Sequence, residues 1–291
     1  MNDFELLLID RIEKIKSIDK QYDIQNNGYI AFSGGKDSTI LHYLIDLALP
    51  NNSIPRVFIN TGIEYCEIVK FVKDLARKDS RIIIYNVGVN IKQMLEKEGY
   101  PFKSKEHSLK VSQYKKGHRT NYLLRYKNGV NSFSCPKKLQ YQFDDNFKLN
   151  VSNKCCYKLK KEPIKGWENK NNKKIKLTGM RKEEGGNRKN LNCIITDKKG
   201  NLLNFHPLVV MNDEWEEWFI KKYNIVLCKL YSAPYNFIRT GCKGCPFNLK
   251  LQKDLETLKN LLPNEYKQCE IIWKPVYQEY RRIGYRLKKE K

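Results

Sequence analysis

Three features of the chain predict an α/β fold: a parallel, twisted, Rossmann-like sheet with helices on both faces. Short apolar runs of strand length alternate with longer helix-compatible segments. The first of these runs ends in a glycine pair that opens onto a helix-compatible stretch. With 291 residues, 41% of them hydrophobic and 12% aromatic, the chain can bury a substantial core as one large domain or two unequal ones.

Phe4, Leu8, Ile12, Ile15 and Ile18 recur every three or four residues among charges, which predicts an amphipathic helix over 3–20 packed on the sheet domain. The run Leu6 to Ile9 sits beside Asp3, Glu5 and Asp10, unlike the basic start of a signal peptide. No apolar run approaches the ~18 residues needed to cross a bilayer, so a cytoplasmic protein without membrane association is expected. Strands are predicted at Gly28 to Phe32, Arg56 to Ile59 and Arg81 to Val87, with a helix-compatible segment from Glu64 to Arg77. In such a sheet, ligands bind beyond the carboxyl ends of the strands, where Ser33 to Ser38 and Asn60-Thr61-Gly62 fall.

Ser33-Gly34-Gly35-Lys36-Asp37-Ser38, directly before the helix-compatible Thr39 to Leu49, reads as a phosphate cradle. Glycines let the backbone approach an anion, the helix start offers unpaired N–H groups, and Lys36 adds a charge, so a nucleotide is the expected ligand. It is not a Walker A loop, which would need glycine where Ile30 stands and Ser or Thr where Asp37 stands.

From Gly99 to about Lys174 periodicity fades into a Lys, Asn, Ser and Tyr-rich segment, expected to hold short helices, a lid or a substrate-binding insertion. Strands return at Lys176 to Met180, Asn192 to Thr196 and Leu202 to His206. Asp213 to Tyr223 reads as a helix whose Trp215, Trp218 and Phe219 belong to the core rather than to nucleobase platforms. Asn248 to Lys291 reads as two helices interrupted near Pro263. The expected organisation is a nucleotide-binding domain over 1–230, with the insertion at about 99–174 carrying a Cys-Cys pair, followed by a C-x-x-C and helical segment over 231–291.

Fifty-five Lys and Arg against 32 Asp and Glu give a net charge of +23, which fits a polyanionic partner, nucleic acid first, or a lysine-rich composition that is merely solvated. Nine cysteines without a secretory signal imply thiols or metal ligands rather than a disulfide framework. Cys155-Cys156 and Cys242-Lys243-Gly244-Cys245 supply four thiols in two close pairs, suited to an iron-sulfur cluster or a structural zinc. Cys135, followed by Pro136-Lys137-Lys138, is a further candidate thiol because cations favour its thiolate. Cys66, Cys193, Cys228 and Cys269 are expected to be buried and structural.

The Ser33–Ser38 loop resembles that of the PP-loop ATP pyrophosphatases, which implies the adenine nucleotide α-hydrolase-like fold and cleavage of ATP between the α and β phosphates. Cys155-Cys156 with Cys242 and Cys245, Leu177 to Glu184 with Asn187-Arg188, His206-Pro207-Leu208 with Trp215, and Tyr235 to Cys245 together resemble the phosphoadenosine phosphosulfate (PAPS) reductase family, adenylylsulfate-type members included. That resemblance spans about Gly28 to Pro246 and implies a 4Fe-4S cluster on Cys155, Cys156, Cys242 and Cys245.

Two departures shape the functional expectation. Reductases of activated sulfate usually lack the loop lysine, present here as Lys36, and carry a C-terminal Glu-Cys-Gly-Leu-His-like tail, absent from Arg286 to Lys291. ATP therefore fits better than an adenylylated sulfate, with Mg2+ sharing the phosphate charge. The resemblance then implies ATP cleavage to AMP and pyrophosphate that activates an acceptor, tRNA or DNA, for sulfur transfer. Its catalytic residues would be Lys36, Asp37, Arg181 and Arg188. Its nucleotide contacts would be Ser33, Gly34, Gly35, Lys36, Asp37, Ser38, Thr61, Glu64 and Gly179. The alternatives are a sulfonucleotide reductase that releases sulfite, with Cys135 or Cys269 as nucleophile and a thioredoxin-like reductant, and a nucleic-acid-binding protein with a nucleotide sensor site. A salt bridge from Arg181 or Arg188 to Glu183 or Glu184 is the structural alternative for the arginines.

Overall fold

The structure, a computed structural model, describes residues 2–129 and 134–289. They pack as two compact units. One, the sheet unit, comprises Met1–Asn60, Glu64–Val87 and Pro163–Thr240; the other, the helical unit, comprises Thr61–Ile63, Gly88–Glu162 and Gly241–Lys291.

In the sheet unit the chain runs through α1 (Asp3–Tyr22), α2 (Ile24–Asn27), β1 (Gly28–Phe32), α3 (Lys36–Ala48), β2 (Arg56–Asn60), α4 (Cys66–Ala76) and β3 (Ile82–Asn86). Asn2 caps α1 reciprocally: its Oδ1 accepts from Glu5 N at 2.9 Å, and Glu5 Oε2 accepts from Asn2 N at 3.2 Å. The helical unit then contributes α5 (Ile91–Glu98), α6 (Lys105–Lys115) and α7 (Asn121–Asn128). After α8 (Glu162–Lys170), nearly all of it in the sheet unit, come β4 (Ile175–Leu177), β5 (Ile194–Thr196), β6 (Leu202–Phe205) and α9 (Asp213–Lys222).

The six strands lie in the order β3-β2-β1-β4-β6-β5, all parallel except β5, which pairs antiparallel with β6 at the edge. Successive strand residues face opposite sides. Tyr29 and Ala31 of β1, Val57 and Ile59 of β2 and Ile83 and Tyr85 of β3 share one face with Trp167 and Ile164 of α8. Phe32 points to the other face, where its ring meets His42 of α3 at 6.2 Å. Helices therefore cover both faces. The order reverses between β1 and β4, so a topological switch point lies beyond their carboxyl ends.

One half-buried network below that point is charge-balanced. His42, Asp46 and Asp79 bring ligand atoms within 4.8 Å of one another, but the guanidiniums of Arg56 and Arg81 are already there, at 2.6 and 2.8 Å from Asp46 Oδ1. This arrangement braces the strands instead of offering a cation site.

The tail departs from the sequence reading. Three helices, not two, fill it: α10 (Leu251–Leu261), α11 (Pro263–Ile272) and α12 (Lys274–Ile283). Pro275 sits in the first turn of α12, so a second proline marks a second helix start at Trp273. Within the segment at 99–174 the described residues form the expected short helices, while 130–133, like the final residues 290–291, lie outside the described residues. No helix among the described residues is long and apolar enough to cross a membrane. The charge is unevenly divided: the helical unit holds 29 Lys and Arg against 12 Asp and Glu, hence +17 of the net +23.

Candidate functional site

After β1 the chain turns through Gly34 at φ +68°, where a Cβ would stand 2.7 Å from Val72 Cγ2 and 3.0 Å from Ile68 Cγ2. Only glycine fits. Helix α3 starts at Lys36 rather than at Thr39, with Gly35 as a cap that offers no side chain. The loop residues Lys36, Asp37 and Ser38 are thus its first turn, where amide groups and helix dipole favour an anion. Ser38 is buried; its hydroxyl accepts from Ser33 N at 3.2 Å and donates to Gly35 O at 3.0 Å, tying the turn to itself.

The loop after β4 closes on this turn. A Cβ on Gly179 would stand 2.6 Å from Asp37 O, so the two loops meet backbone to backbone. Arg181, 4% exposed, places Nε 3.2 Å from Asp37 Oδ1 and 3.0 Å from Glu216 Oε1, and Nη2 2.7 Å from Asp213 Oδ1. Lys36 Nζ lies 2.7 Å from Glu216 Oε2. Glu216, fully buried on α9, therefore holds both cations of the cradle.

Burial, then the charge of Asp37, pushes the Glu216 carboxyl up to about 8, against the opposing pull of Lys36. With Glu216 protonated, Lys36 and Arg181 keep more of their charge for an anion. Unfolded, the carboxyl would titrate near 4.5. A raised folded pKa gives stability that is complete below the unfolded value and lost as pH rises through the folded one. Glu216→Gln cannot titrate and is expected to flatten the fall of Tm between about pH 4.5 and 8; an unchanged slope would show that the carboxyl titrates normally.

The second centre lies within the helical unit. Cys155 and Cys156 open a helical stretch that continues as a π turn over Tyr157–Lys161. The Cys155 thiol is pushed up by its hydrogen bond to Cys156, by burial, and by the charges of Cys156, Cys245 and Cys242. That same hydrogen bond, with Lys105, Lys160 and Lys161, pulls Cys156 down although burial opposes it. Burial, then Cys242, pushes Cys245 up to about 12. All four sulfurs thus occupy one electrostatic neighbourhood.

The C-x-x-C turn is clamped by aromatic side chains of the tail. Trp273 Nε1 donates to Lys243 O at 3.0 Å, the Tyr277 hydroxyl donates to Gly244 O, and the Tyr280 hydroxyl donates to Pro246 O at 2.9 Å. Gly244, at φ +60°, could not carry a Cβ without coming 2.7 Å from Cys269 Sγ. Two thiols on a fixed turn, with Cys155 and Cys156 near enough to act on them electrostatically, form a donor set of the kind an iron-sulfur cluster uses.

Residues 27–134 and 124–248 match the family model of the phosphoadenosine phosphosulfate reductase domain. The chain belongs to this family. A protein of uncharacterised function from Methanocaldococcus jannaschii is 31% identical over 159 residues, which make up 50% of this chain and 38% of that protein. The chain thus spans well under two thirds of that relative's length. Among solved structures, the Candida auris phosphoadenylyl-sulfate reductase in complex with phosphate aligns at a TM-score of 0.42 and 14% identity, covering 74% of this chain and 80% of that one. The Candida glabrata FMN adenylyltransferase with FMN and an ATP analogue aligns at 0.47 and 17%, covering 84% and 66%. The U34-tRNA thiolase of Methanococcus maripaludis with its 4Fe-4S cluster aligns at 0.41 and 14%, covering 94% and 80%.

In this phosphoadenosine phosphosulfate reductase domain the other predicted residues are distributed as follows. Arg188 pairs with Glu184, as does Arg239, so the salt-bridge alternative describes Arg188. Arg181 instead turns its guanidinium to Asp37, Asp213 and Glu216, while its backbone N–H donates to Glu184 Oε1 at 3.2 Å. Glu64 is buried in the sheet unit; Thr61, also buried, belongs to the helical unit. Trp215 and Phe219 are core, as expected, whereas Trp218 is only half-buried.

Three cysteine expectations change. Cys135 is buried, and burial pushes its thiol up to about 11 against the opposing charge of Lys103, so its cationic sequence neighbours do not make it a thiolate. Cys66, expected to be buried, is exposed at the start of α4. Cys193 is only half-buried, its thiol facing Arg11. Sequence reading missed Glu216, because the aromatic spacing around it explains the helix without it. Asp213 and Glu216 flanking Trp215 were the available signal.

Proposed function

We propose that the chain binds ATP on the Ser33–Ser38 loop, cleaves it between the α and β phosphates, and so activates an acceptor for sulfur transfer. The observation that carries this reading is the convergence of Lys36 and Arg181 on buried Glu216 at the amino end of α3. Two cations, fixed before ligand arrives beside a glycine turn and a helix start, are matched to a polyphosphate leaving group.

An oxygen of the acceptor attacks the α-phosphorus, and the bond to the bridging oxygen breaks with its electron pair leaving on pyrophosphate. Lys36 and Arg181 neutralise the charge that develops there, and Asp37 orients the Mg2+ that accompanies ATP. Sulfide then attacks the activated carbon, and AMP departs with the oxygen; a persulfide donor would form a disulfide adduct instead, which a second thiol cleaves to release the thiolated acceptor and a donor disulfide. Arg188 and Arg239 share Glu184 and are available to the nucleotide once a phosphate competes for them. Ser33, Gly34, Gly35, Ser38 and Gly179 shape the cradle, with Thr61 and Glu64 as nucleotide contacts.

Cys155, Cys156, Cys242 and Cys245 would hold the 4Fe-4S cluster, whose chemistry when bound is to bind and activate sulfur. Nucleic acid is the acceptor class that the positive charge favours. Both nucleophiles expected for the sulfonucleotide reductase alternative are buried, Cys135 at 2% and Cys269 at 0% exposure.

Incubating anaerobically purified protein with ATP labelled at the α-phosphate tests the reading. AMP with pyrophosphate is expected. ADP with phosphate would overturn it, and sulfite release from an adenylylated sulfate with a dithiol reductant would replace it by the reductase.

A further inference from the structure

The positive charge of the helical unit is concentrated, and at one place it accompanies a fixed aromatic ring. Between residues 105 and 129 stand seven Lys and Arg against the single acid Glu106. Lys105, Lys115, Lys116, Arg119 and Arg125 are all exposed, and among the described residues none of them is ion-paired with a carboxylate. A charge run on a solvated helix is ordinary. What lies beneath this one is not.

Lys110 is 3% exposed, and its ammonium has no hydrogen-bond acceptor among the described residues. It sits 3.3 Å from the centre of the Tyr122 ring and 4.5 Å from that of Tyr126, with Glu106 Oε1 at 3.5 Å. Tyr122 donates its hydroxyl to Glu106 Oε1 at 2.9 Å. The ring is thus pinned from below by a cation and at its tip by a hydrogen bond, yet Tyr122 remains 66% exposed. An exposed tyrosine normally keeps its rotameric freedom and loses it on binding; this one has already lost it. Arg119 lies over the neighbouring Tyr114 ring, 3.7 Å from its centre, and donates to Tyr114 O and His118 O, so its charge too is fixed in place.

We infer that the α6–α7 segment is a docking surface for a single-stranded stretch of nucleic acid, with one base stacked on Tyr122 and the backbone phosphates held by Lys116, Arg119 and Arg125. Exposed cations on the same segment as a pre-oriented ring match a nucleotide strand, because every base has a face to stack and every linkage a charge to neutralise. An acidic protein would use the cations and leave the ring idle. The inference rests on the reading of the acceptor as nucleic acid, and is independent of how ATP is cleaved.

The test is binding of a labelled single-stranded RNA, and of DNA of the same length, to the full chain across a salt series, with pyrophosphate release from ATP followed in the same preparations. Tyr122→Ala is expected to weaken binding about ten-fold with the salt dependence unchanged, while Tyr122→Phe, which keeps the ring, restores most of the affinity. The triple variant Lys116→Ala, Arg119→Ala, Arg125→Ala is expected to lower the slope of log affinity against log salt by about 2, the value for three lost phosphate contacts on a single strand. Full binding by both variants would move the surface elsewhere and overturn the inference while leaving the acceptor reading intact. Polyglutamate competing as well as RNA would assign the patch to an acidic protein and overturn it too. No binding by the unmodified chain would overturn the acceptor reading itself, and pyrophosphate release would show separately whether ATP cleavage stands.

Discussion

Lys36→Ala is expected to lower pyrophosphate release from ATP by about 10²–10³-fold, the usual consequence of removing one pre-positioned charge from a site where negative charge develops. The lysine is the cleaner of the two cations to remove. Its side chain is 25% exposed, whereas that of Arg181 is 5% exposed and satisfies Asp37, Asp213, Glu216 and the Met211 carbonyl at once. Deleting Arg181 would remove a buried guanidinium from all these partners at once and confuse lost catalysis with lost folding. Deleting Lys36 removes one partner of Glu216 while Arg181 stays at 3.0 Å, and a raised carboxyl can meet the change by holding its proton. The variant should therefore keep its Tm within a few degrees and its metal content in full. Lys36→Arg should recover only part of the rate, because a planar fork cannot take the place of a compact ammonium 2.7 Å from Glu216. Normal turnover in Lys36→Ala would remove the loop from the reaction.

Much of the sheet was legible because strands and helices wrote their period into the chain. Glycines wrote the cradle: Gly34 and Gly179 stand where a side chain would collide with Val72 or with the Asp37 backbone. The position of the helix start was less legible. Lys36 and Asp37 look like loop residues beside the glycines, yet they form the first turn of α3. Glu216 was illegible for a different reason. Its partners Lys36 and Arg181 are 180 and 35 residues away in the chain, and only the sheet order brings them together. The antiparallel β5 follows from the short turn at Lys198 to Gly200, too tight for a crossover helix. Cys135 shows the limit of neighbour-based reasoning. Lys137 and Lys138 are exposed, while the thiol itself is buried beside His107, so burial decides its protonation.

Cys155→Ser, Cys156→Ser, Cys242→Ser and Cys245→Ser should each lose most of the iron and labile sulfide of anaerobically purified protein, from about four irons per chain, together with the visible absorbance of iron-bound thiolate. Cys66→Ser and Cys135→Ser should keep both, because neither thiol belongs to the group of four whose charges act on one another. The contrast among six similar substitutions makes the test specific, since a general loss of folding would not sort cysteines by place. A milder probe reaches the same centre through the backbone. Gly244→Ala adds a methyl group at φ +60°, 2.5 Å from the Tyr277 hydroxyl and 2.7 Å from Cys269 Sγ, and neither the clamped ring nor the fully buried thiol can yield cheaply. It should lower Tm and metal content together. Tyr277→Phe removes only the hydrogen bond to the Gly244 carbonyl, costing about 1 kcal/mol, and should leave the metal in place. Stoichiometric zinc with no iron in the unmodified protein would keep the four ligands and replace the cluster. Unchanged metal in the four serine variants would dissolve the centre altogether.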